Sequence, residues 1–258
     1  MLSEVKCTWR ESSPSFAQAE CNACQGTGWQ IVCSSGYSRA RRCSCREVTR
    51  LMRLKQSMGV PPRYQHCSLD NFQPHNLSQM RALREARRFV ERFPGVNRGL
   101  MFAGTAGTGK THLAVAILRD LACRTQEDIL FADFASVLQL PGRWSSSVEA
   151  GQKLEQRLRQ VFVLVLDDFG VCPPSMEHLR FIERLLAERL KRRCLTILTG
   201  AEVSCRSLFR DRASSDQSRT QLFLSALQPS FLIQLLSAVR ILTMSGEDCR
   251  HFHSSLFS

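Results

Sequence analysis

The sequence predicts an α/β protein, a parallel doubly wound sheet preceded by a small cysteine-rich module. Three observations predict this. Short apolar runs at 100–103, 129–131, 161–166, 194–198 and 239–244 alternate with segments of helical period, the pattern of strands joined by crossover helices. One run leads directly into a glycine-rich loop that opens a helix, Gly104-Thr105-Ala106-Gly107-Thr108-Gly109-Lys110-Thr111. Four of the 12 cysteines form two close pairs, Cys21/Cys24 and Cys43/Cys45.

A chain of 258 residues has room for one full α/β domain and a small extra module. The division falls at Gly59-Val60-Pro61-Pro62, because the two prolines cannot continue a helix. The expected module is residues 1–58 and the expected α/β domain is residues 61–250. No apolar run approaches the roughly 18–20 residues needed to span a bilayer. Met1 to Arg10 has no apolar core of the kind a secretory signal needs, so a cytoplasmic protein with no membrane contact is expected. Lys plus Arg number 35 against 23 acidic residues, a net charge of +12. Nearly all the cations are Arg, whose planar fork suits phosphate, so a polyanionic partner is expected; a coding bias towards Arg would give the same excess.

Within the module, two close cysteine pairs in Gly- or Ser-rich turns can place four thiolates around one tetrahedral metal. Cys21, Cys24, Cys43 and Cys45 are the expected zinc ligands. Arg39, Arg41, Arg42 and Arg46 flank the second pair and would favour thiolates. The Cys-x-Cys spacing of that pair is tight, and Cys33 is a competing ligand; free or redox-active thiols are the alternative. The other eight cysteines are scattered, and most are expected to be small buried hydrophobes. Arg46 to Met58 reads as a short basic helix.

Along the second domain, Asn76 to Phe93 has a helical period, with Leu77, Met80, Leu83, Phe89, Val90 and Phe93 as its apolar set and Arg81, Arg84, Arg87 and Arg88 elsewhere on its surface. Those arginines are either phosphate contacts or a solvated face. In the loop after the first strand, Gly104 and Gly109 let successive amides point at phosphates. Lys110 is positioned for the β- and γ-phosphate oxygens and Thr111 for Mg2+. The helix from Lys110 to about Ala122 turns its positive end to the same anion. Val161 to Leu166 reads as a strand buried on both faces, ending in Asp167-Asp168. Asp167 is the expected Mg2+ ligand and Asp168 the carboxylate that orients attacking water. Ser175 caps a helix to Arg193 with Met176, Leu179, Ile182, Leu186 and Leu190 facing inward. Thr199, at the end of the strand 194–198, either senses the γ-phosphate or caps the loop. These residues together make a Mg-ATP site.

With those residues laid out, the chain resembles the DnaC-type helicase loaders of the DnaC/IstB group of AAA+ P-loop ATPases. The matching stretches are Cys-x2-Cys-x-Gly-Thr-Gly-Trp, Pro61 to Tyr64, Leu69 to Phe72, Gly107 to Ala114 with His112 among the nucleotide-site residues, Leu164 to Gly170, and Gly246 to Arg250. The resemblance implies a bacterial or phage ATPase that binds a replicative helicase hexamer, helps place it on single-stranded DNA, and uses ATP as a switch, including for self-assembly. Three departures bear on this. The family's Thr-Ser-Asn after the fourth strand reads Thr199-Gly200-Ala201, without the polar Asn. Its Ser-Arg element reads Ser218-Arg219, or on a second alignment Ser230-Phe231 without the Arg. Arg212 and Arg219 are the arginine-finger candidates, and slow hydrolysis is expected. An IstB-type transposition helper and an ATP-binding adaptor that does not hydrolyse are the competing functions. DNA contact is expected to be mostly to phosphate, with steep salt dependence and little sequence preference.

Overall fold

The structure is a computed structural model that describes residues 21–25, 27, 29–34, 37–45, 58–125, 127–140, 148–173, 175–204, 218–246 and 248. The chain divides into two compact units, Met1–Ser57 and Met58–Ser258. In the first, β1 (Trp29–Ser34) and β2 (Tyr37–Arg42) form an antiparallel ribbon, with Trp29 opposite Arg42 and Ser34 opposite Tyr37. The basic helix expected over Arg46 to Met58 lies outside the described residues except for Met58 itself.

The second unit is a five-stranded, all-parallel sheet. Its strands are β3 (Gly99–Gly104), β4 (Ile129–Asp133), β5 (Val163–Phe169), β6 (Leu195–Gly200) and β7 (Val239–Met244), in the spatial order β4-β5-β6-β3-β7. The helices are α1 (Leu77–Arg92), α2 (Lys110–Arg124), α3 (Phe134–Leu138), α4 (Val148–Gln160), α5 (Met176–Lys191), α6 (Arg219–Ala226) and α7 (Pro229–Ala238). Alternate strand residues feed two cores. Leu100, Phe102, Val163, Val165 and Ile197 join α1 and α2 on one face. Met101, Ala103, Leu164, Leu166 and Leu198 join α3 to α7 on the other. The doubly wound α/β arrangement therefore follows from runs such as Val163 to Leu166, which are apolar at every position.

Local signals set the helix starts. The Asn76 side chain accepts from the Gln79 backbone N–H, and Ser175 accepts from that of His178, so both caps are satisfied as N-caps ordinarily are. The first-turn apolar residues behave differently from expectation. Leu77, Met80 and Met176 are 70%, 54% and 66% exposed, while Gln79, Ala82 and Ala86 of α1 and Phe181 and Leu185 of α5 are buried. Arg81, Arg84, Arg87 and Arg88 of α1 are all exposed. Of the scattered cysteines that are described with their side chains, Cys67 is buried, but Cys123, Cys172 and Cys194 are only half-buried.

Among the described residues, one cation is fully interior. Arg189 is 0% exposed, and its guanidinium donates to the carbonyls of Leu158, Val161 and Leu195 and to the Thr196 hydroxyl. Burial pushes its pKa down to about 10, still far above neutrality, so the group remains a cation. It ties α5 to the end of α4 and to the start of β6, where carbonyls would otherwise be orphaned.

Candidate functional site

The candidate site lies at the carboxyl ends of β3, β5 and β6, where ligands of open α/β sheets bind. The loop after Gly104 closes at Gly109, whose φ of 90° starts α2 from a left-handed conformation. A Cβ there would also fall 2.4 Å from Phe72 Cε2, so glycine is required twice over. Lys110 Nζ donates to the Thr105 carbonyl at 2.7 Å and Thr108 Oγ1 donates to the same oxygen at 2.9 Å. The lysine thus lies folded over the loop. Thr108 is itself buried, and Gln79 Nε2 donates to its carbonyl at 3.3 Å.

β5 carries the acidic pair. Its pairing with β6 runs Leu166 to Leu198 and then Phe169 to Gly200, so two residues of β5 oppose the single Thr199. This is a β-bulge, and Asp168 at φ 55° is its turning point. The bulge directs Asp167 inward, 4% exposed, and leaves Asp168 exposed. Thr199 satisfies both consequences. Its hydroxyl donates to Asp167 Oδ1 at 2.5 Å and accepts from the Asp168 backbone N–H at 2.9 Å. The Thr111 hydroxyl, from the first turn of α2, donates to the same Asp167 oxygen at 2.8 Å. Burial pushes the Asp167 carboxyl above its ordinary value, although the two threonine hydrogen bonds pull it down. A buried carboxylate beside a hydroxyl, with a second carboxylate adjacent, is the hard oxygen set that a divalent cation such as Mg2+ fits.

A strap before α1 closes one side of the site. His112 Nε2 lies 3.0 Å from both the Ser68 carbonyl and Asn71 Oδ1, and since both are acceptors the ring nitrogen donates. Arg119 donates to the Cys67 carbonyl at 2.5 Å, and the Phe72 ring meets His112 edge-on at 5.2 Å. Tyr64, in a 3-10 turn over Pro62–Tyr64, lies near Thr111 and the acidic pair. Its hydroxyl is pushed above the usual phenol range by burial first and by the Asp167 charge second. Residues 61–64 and 69–72 stand out in the sequence, but nothing there assigns Tyr64 to the magnesium end of the site. An isolated tyrosine after two prolines has no periodicity to place it.

The sequence profile of the IstB-like ATP binding proteins matches residues 37–213, more than half of the chain. The chain belongs to that family. The replicative helicase loader DnaC of Escherichia coli K12 is 32% identical over 154 residues, which are 58% of this chain and 62% of that protein. The uncharacterized protein YdaV of the same strain is 29% identical over 149 residues, covering 55% of this chain and 57% of YdaV. The chain therefore spans about three fifths of the length of the curated relatives it matches. Among solved structures, that of the DnaC helicase loader superposes with a TM-score of 0.58 at 28% identity, covering 71% of this chain and 99% of that one. DnaI superposes with a TM-score of 0.57 at 20% identity, over 73% of this chain and 96% of that chain, which is a likeness of fold. The IstB-like chain thus has the parallel α/β architecture of the AAA+ P-loop ATPases.

The remaining expected residues fall as follows. Arg219 opens α6 and is exposed, and Ser218 before it is the cap, accepting from the Gln221 N–H at 3.1 Å. Arg212 lies outside the described residues. Phe231, on the second alignment of the Ser-Arg element, is buried in the core at 7% exposure. Gly200 and Ala201 adjoin Thr220 of α6, whose hydroxyl donates to the Phe169 carbonyl at 2.8 Å and accepts from the Ala201 N–H at 2.7 Å. A Cβ on Gly200 would approach Thr220 to 2.9 Å, so α6 packs closely at the position of the family's Ser, while Ala201, where the Asn is missing, meets Thr220 through its backbone.

In the first unit, the sulfurs of Cys21, Cys24, Cys43 and Cys45 form no disulfide and all lie within 4.8 Å of one another. The Cys21–Cys43 and Cys24–Cys45 sulfur separations are 3.7 and 3.4 Å. Tetrahedral zinc with Zn–S bonds of about 2.3 Å puts its sulfurs roughly 3.8 Å apart, so the cluster fits that ion. Without a metal, the Cys45 thiol is pushed up to about 12, chiefly by its hydrogen bond with Cys24. The side chain of Cys33, the competing ligand, lies outside those described. No helix among the described residues is long and apolar enough to cross a membrane.

Proposed function

We propose that this protein is an ATP-switched loader of a hexameric replicative helicase. The observation that carries the reading is the Asp167 oxygen held between the hydroxyls of Thr111 and Thr199 beside the Gly104–Lys110 loop, in a chain whose relatives include helicase loaders. Lys110 leaves the Thr105 carbonyl for the β- and γ-phosphate oxygens of ATP. Thr111 and Asp167 hold Mg2+, which neutralises phosphate charge. Asp168, turned outward by the bulge, orients the attacking water. Arg219 is exposed at a helix start and serves the site of a neighbouring subunit when the protein self-assembles. The cysteine cluster holds zinc and gives a short, apolar-poor module its fold. Single-stranded DNA and the helicase hexamer are the macromolecular partners.

The test is size-exclusion chromatography of the protein with the replicative helicase of the same organism in Mg-ATP, in ADP and without nucleotide. A complex whose abundance or stoichiometry changes with nucleotide supports the switch. A complex indifferent to nucleotide removes the switch, and no complex in any state removes the loader and favours the transposition helper that the family also contains.

A further inference from the structure

The β1–β2 ribbon presents a face that neither the nucleotide site nor the metal cluster uses. Cross-strand partners share a face and alternate residues change sides. The pairings Gln30–Arg41, Val32–Arg39 and Ser34–Tyr37 therefore place Tyr37, Arg39 and Arg41 in one row. Every residue of β2 is exposed, and Tyr37 is 75% exposed. From residue 21 to residue 45 the sequence contains no Asp or Glu. In the second unit some exposed arginines are compensated, as where Arg87 pairs with Asp70 and Arg88 and Arg240 share Glu85, and others such as Arg81 and Arg84 are not. Among the described residues, Arg39, Arg41 and Arg42 are in no ion pair. Tyr37 thus stands in water in the same row as two guanidinium groups that no described carboxylate pairs.

We propose that this face of the ribbon is a contact for single-stranded nucleic acid, with Arg39 and Arg41 on successive phosphates and Tyr37 stacked on an unpaired base. Residues two apart on one strand are about 7 Å apart, a distance that an extended sugar–phosphate backbone spans between neighbouring phosphates. Stacking on an exposed ring is open to an unpaired base and closed to a base inside a duplex, which selects the single strand. The cysteine cluster brackets the ribbon, with Cys24 ahead of β1 and Cys43 directly after β2, so a bound metal would clamp the base of both strands. The proposal rests on the loader reading for the identity of the polymer as DNA and on the ribbon's own geometry for the rest.

The experiment uses the full-length, zinc-loaded chain and a fluorescent single-stranded oligothymidine, with anisotropy read across a salt series. Zinc stoichiometry and binding of a fluorescent ATP analogue report the integrity of the two units. Tyr37→Ala is expected to weaken binding roughly 5- to 160-fold, and Tyr37→Phe to retain it, because stacking needs the ring and not the hydroxyl. Arg39→Ala with Arg41→Ala should lower the slope of log affinity against log salt by about 1.4, two phosphate contacts at about 0.7 each. Unchanged affinity in Tyr37→Ala at full zinc content would overturn the ribbon contact while leaving the loader reading intact. Loss of helicase association with DNA binding preserved would make the face a protein-docking surface and overturn it equally. A parent protein that binds no single strand under any nucleotide would remove the DNA part of the loader reading and this proposal together, whereas a parent that binds and a variant that does not supports both.

Discussion

Thr199→Val isolates the feature on which the site turns. Valine keeps the shape of threonine but removes one donor and one acceptor. The donor is bound to the buried Asp167 oxygen at 2.5 Å, and the acceptor takes the Asp168 N–H at 2.9 Å. A hydrogen bond to a charged acceptor contributes about 1.5–3 kcal/mol and a neutral one about 1, so the variant should lose about 3 kcal/mol. That is a large share of the 5–15 kcal/mol typical of a whole domain. For a domain of this size it corresponds to a fall of roughly 6–12 °C in Tm. The Asp167 carboxyl should also rise further, since the Thr199 bond is the larger of the two hydrogen bonds that hold it down. Mg2+-dependent binding of a fluorescent ATP analogue should weaken with it, while Thr199→Ser retains both properties. Urea unfolding and a magnesium titration of analogue binding read the two effects separately. A valine variant within about 0.5 kcal/mol of the parent, the size of an ordinary surface change, and with unaltered magnesium dependence, would refute the reasoning.

Asp167→Asn tests the same oxygen from the other side. The folded-state carboxyl is raised, so the stability it contributes is full below the unfolded carboxylate range and is lost as pH rises through the folded value. At neutral pH without Mg2+ and nucleotide, the Asn variant should melt no lower than the parent, since Asn Oδ1 still accepts from both threonines, yet Mg-ATP should no longer stabilise it; a parent-like thermal shift with Mg-ATP would contradict this. Arg189→Leu should cost about 4 kcal/mol in chemical unfolding, because three buried carbonyls lose their donor, and near-neutral behaviour would show that they find other partners. Purified protein should carry about one zinc per chain, bound more tightly as pH rises from 6 to 8, because the metal-free Cys45 thiol holds its proton and must lose it to bind; zinc content near zero would dismiss the metal. Chelation should leave binding of the ATP analogue by the second unit intact.

Much of the site is legible because its chemistry is local in sequence. The loop from Gly104 to Thr111 and the pair Asp167-Asp168 are read from spacing alone, and the sheet follows from the alternation of apolar runs. The caps at Asn76 and Ser175 are equally local, since each side chain needs only the backbone N–H three residues on. What stays hidden depends on neighbours in space. Leu77, Met80 and Met176 fit a helical period, yet each is in a first turn, and periodicity does not say where the packed layer begins. Gln79 is buried in their place because it reaches the Thr108 carbonyl. The bulge opposite Thr199 cannot be read from an Asp-Asp pair, which looks like the end of a strand when the ladder continues to Phe169. Arg189 looks like another surface cation of α5. It is interior because carbonyls from the end of α4 and the start of β6 converge on it.

A switch at the Lys110–Asp167 site of a helicase loader would show itself in the loading step. The most direct measurement is transfer of the hexameric helicase of the same organism onto a closed single-stranded DNA circle, which has no end to thread. With the protein and Mg-ATP, helicase bound to the circle should rise well above the helicase-alone level, and Lys110→Ala should return it to that level. Equal loading by the parent and Lys110→Ala, or no gain from either, would contradict the account.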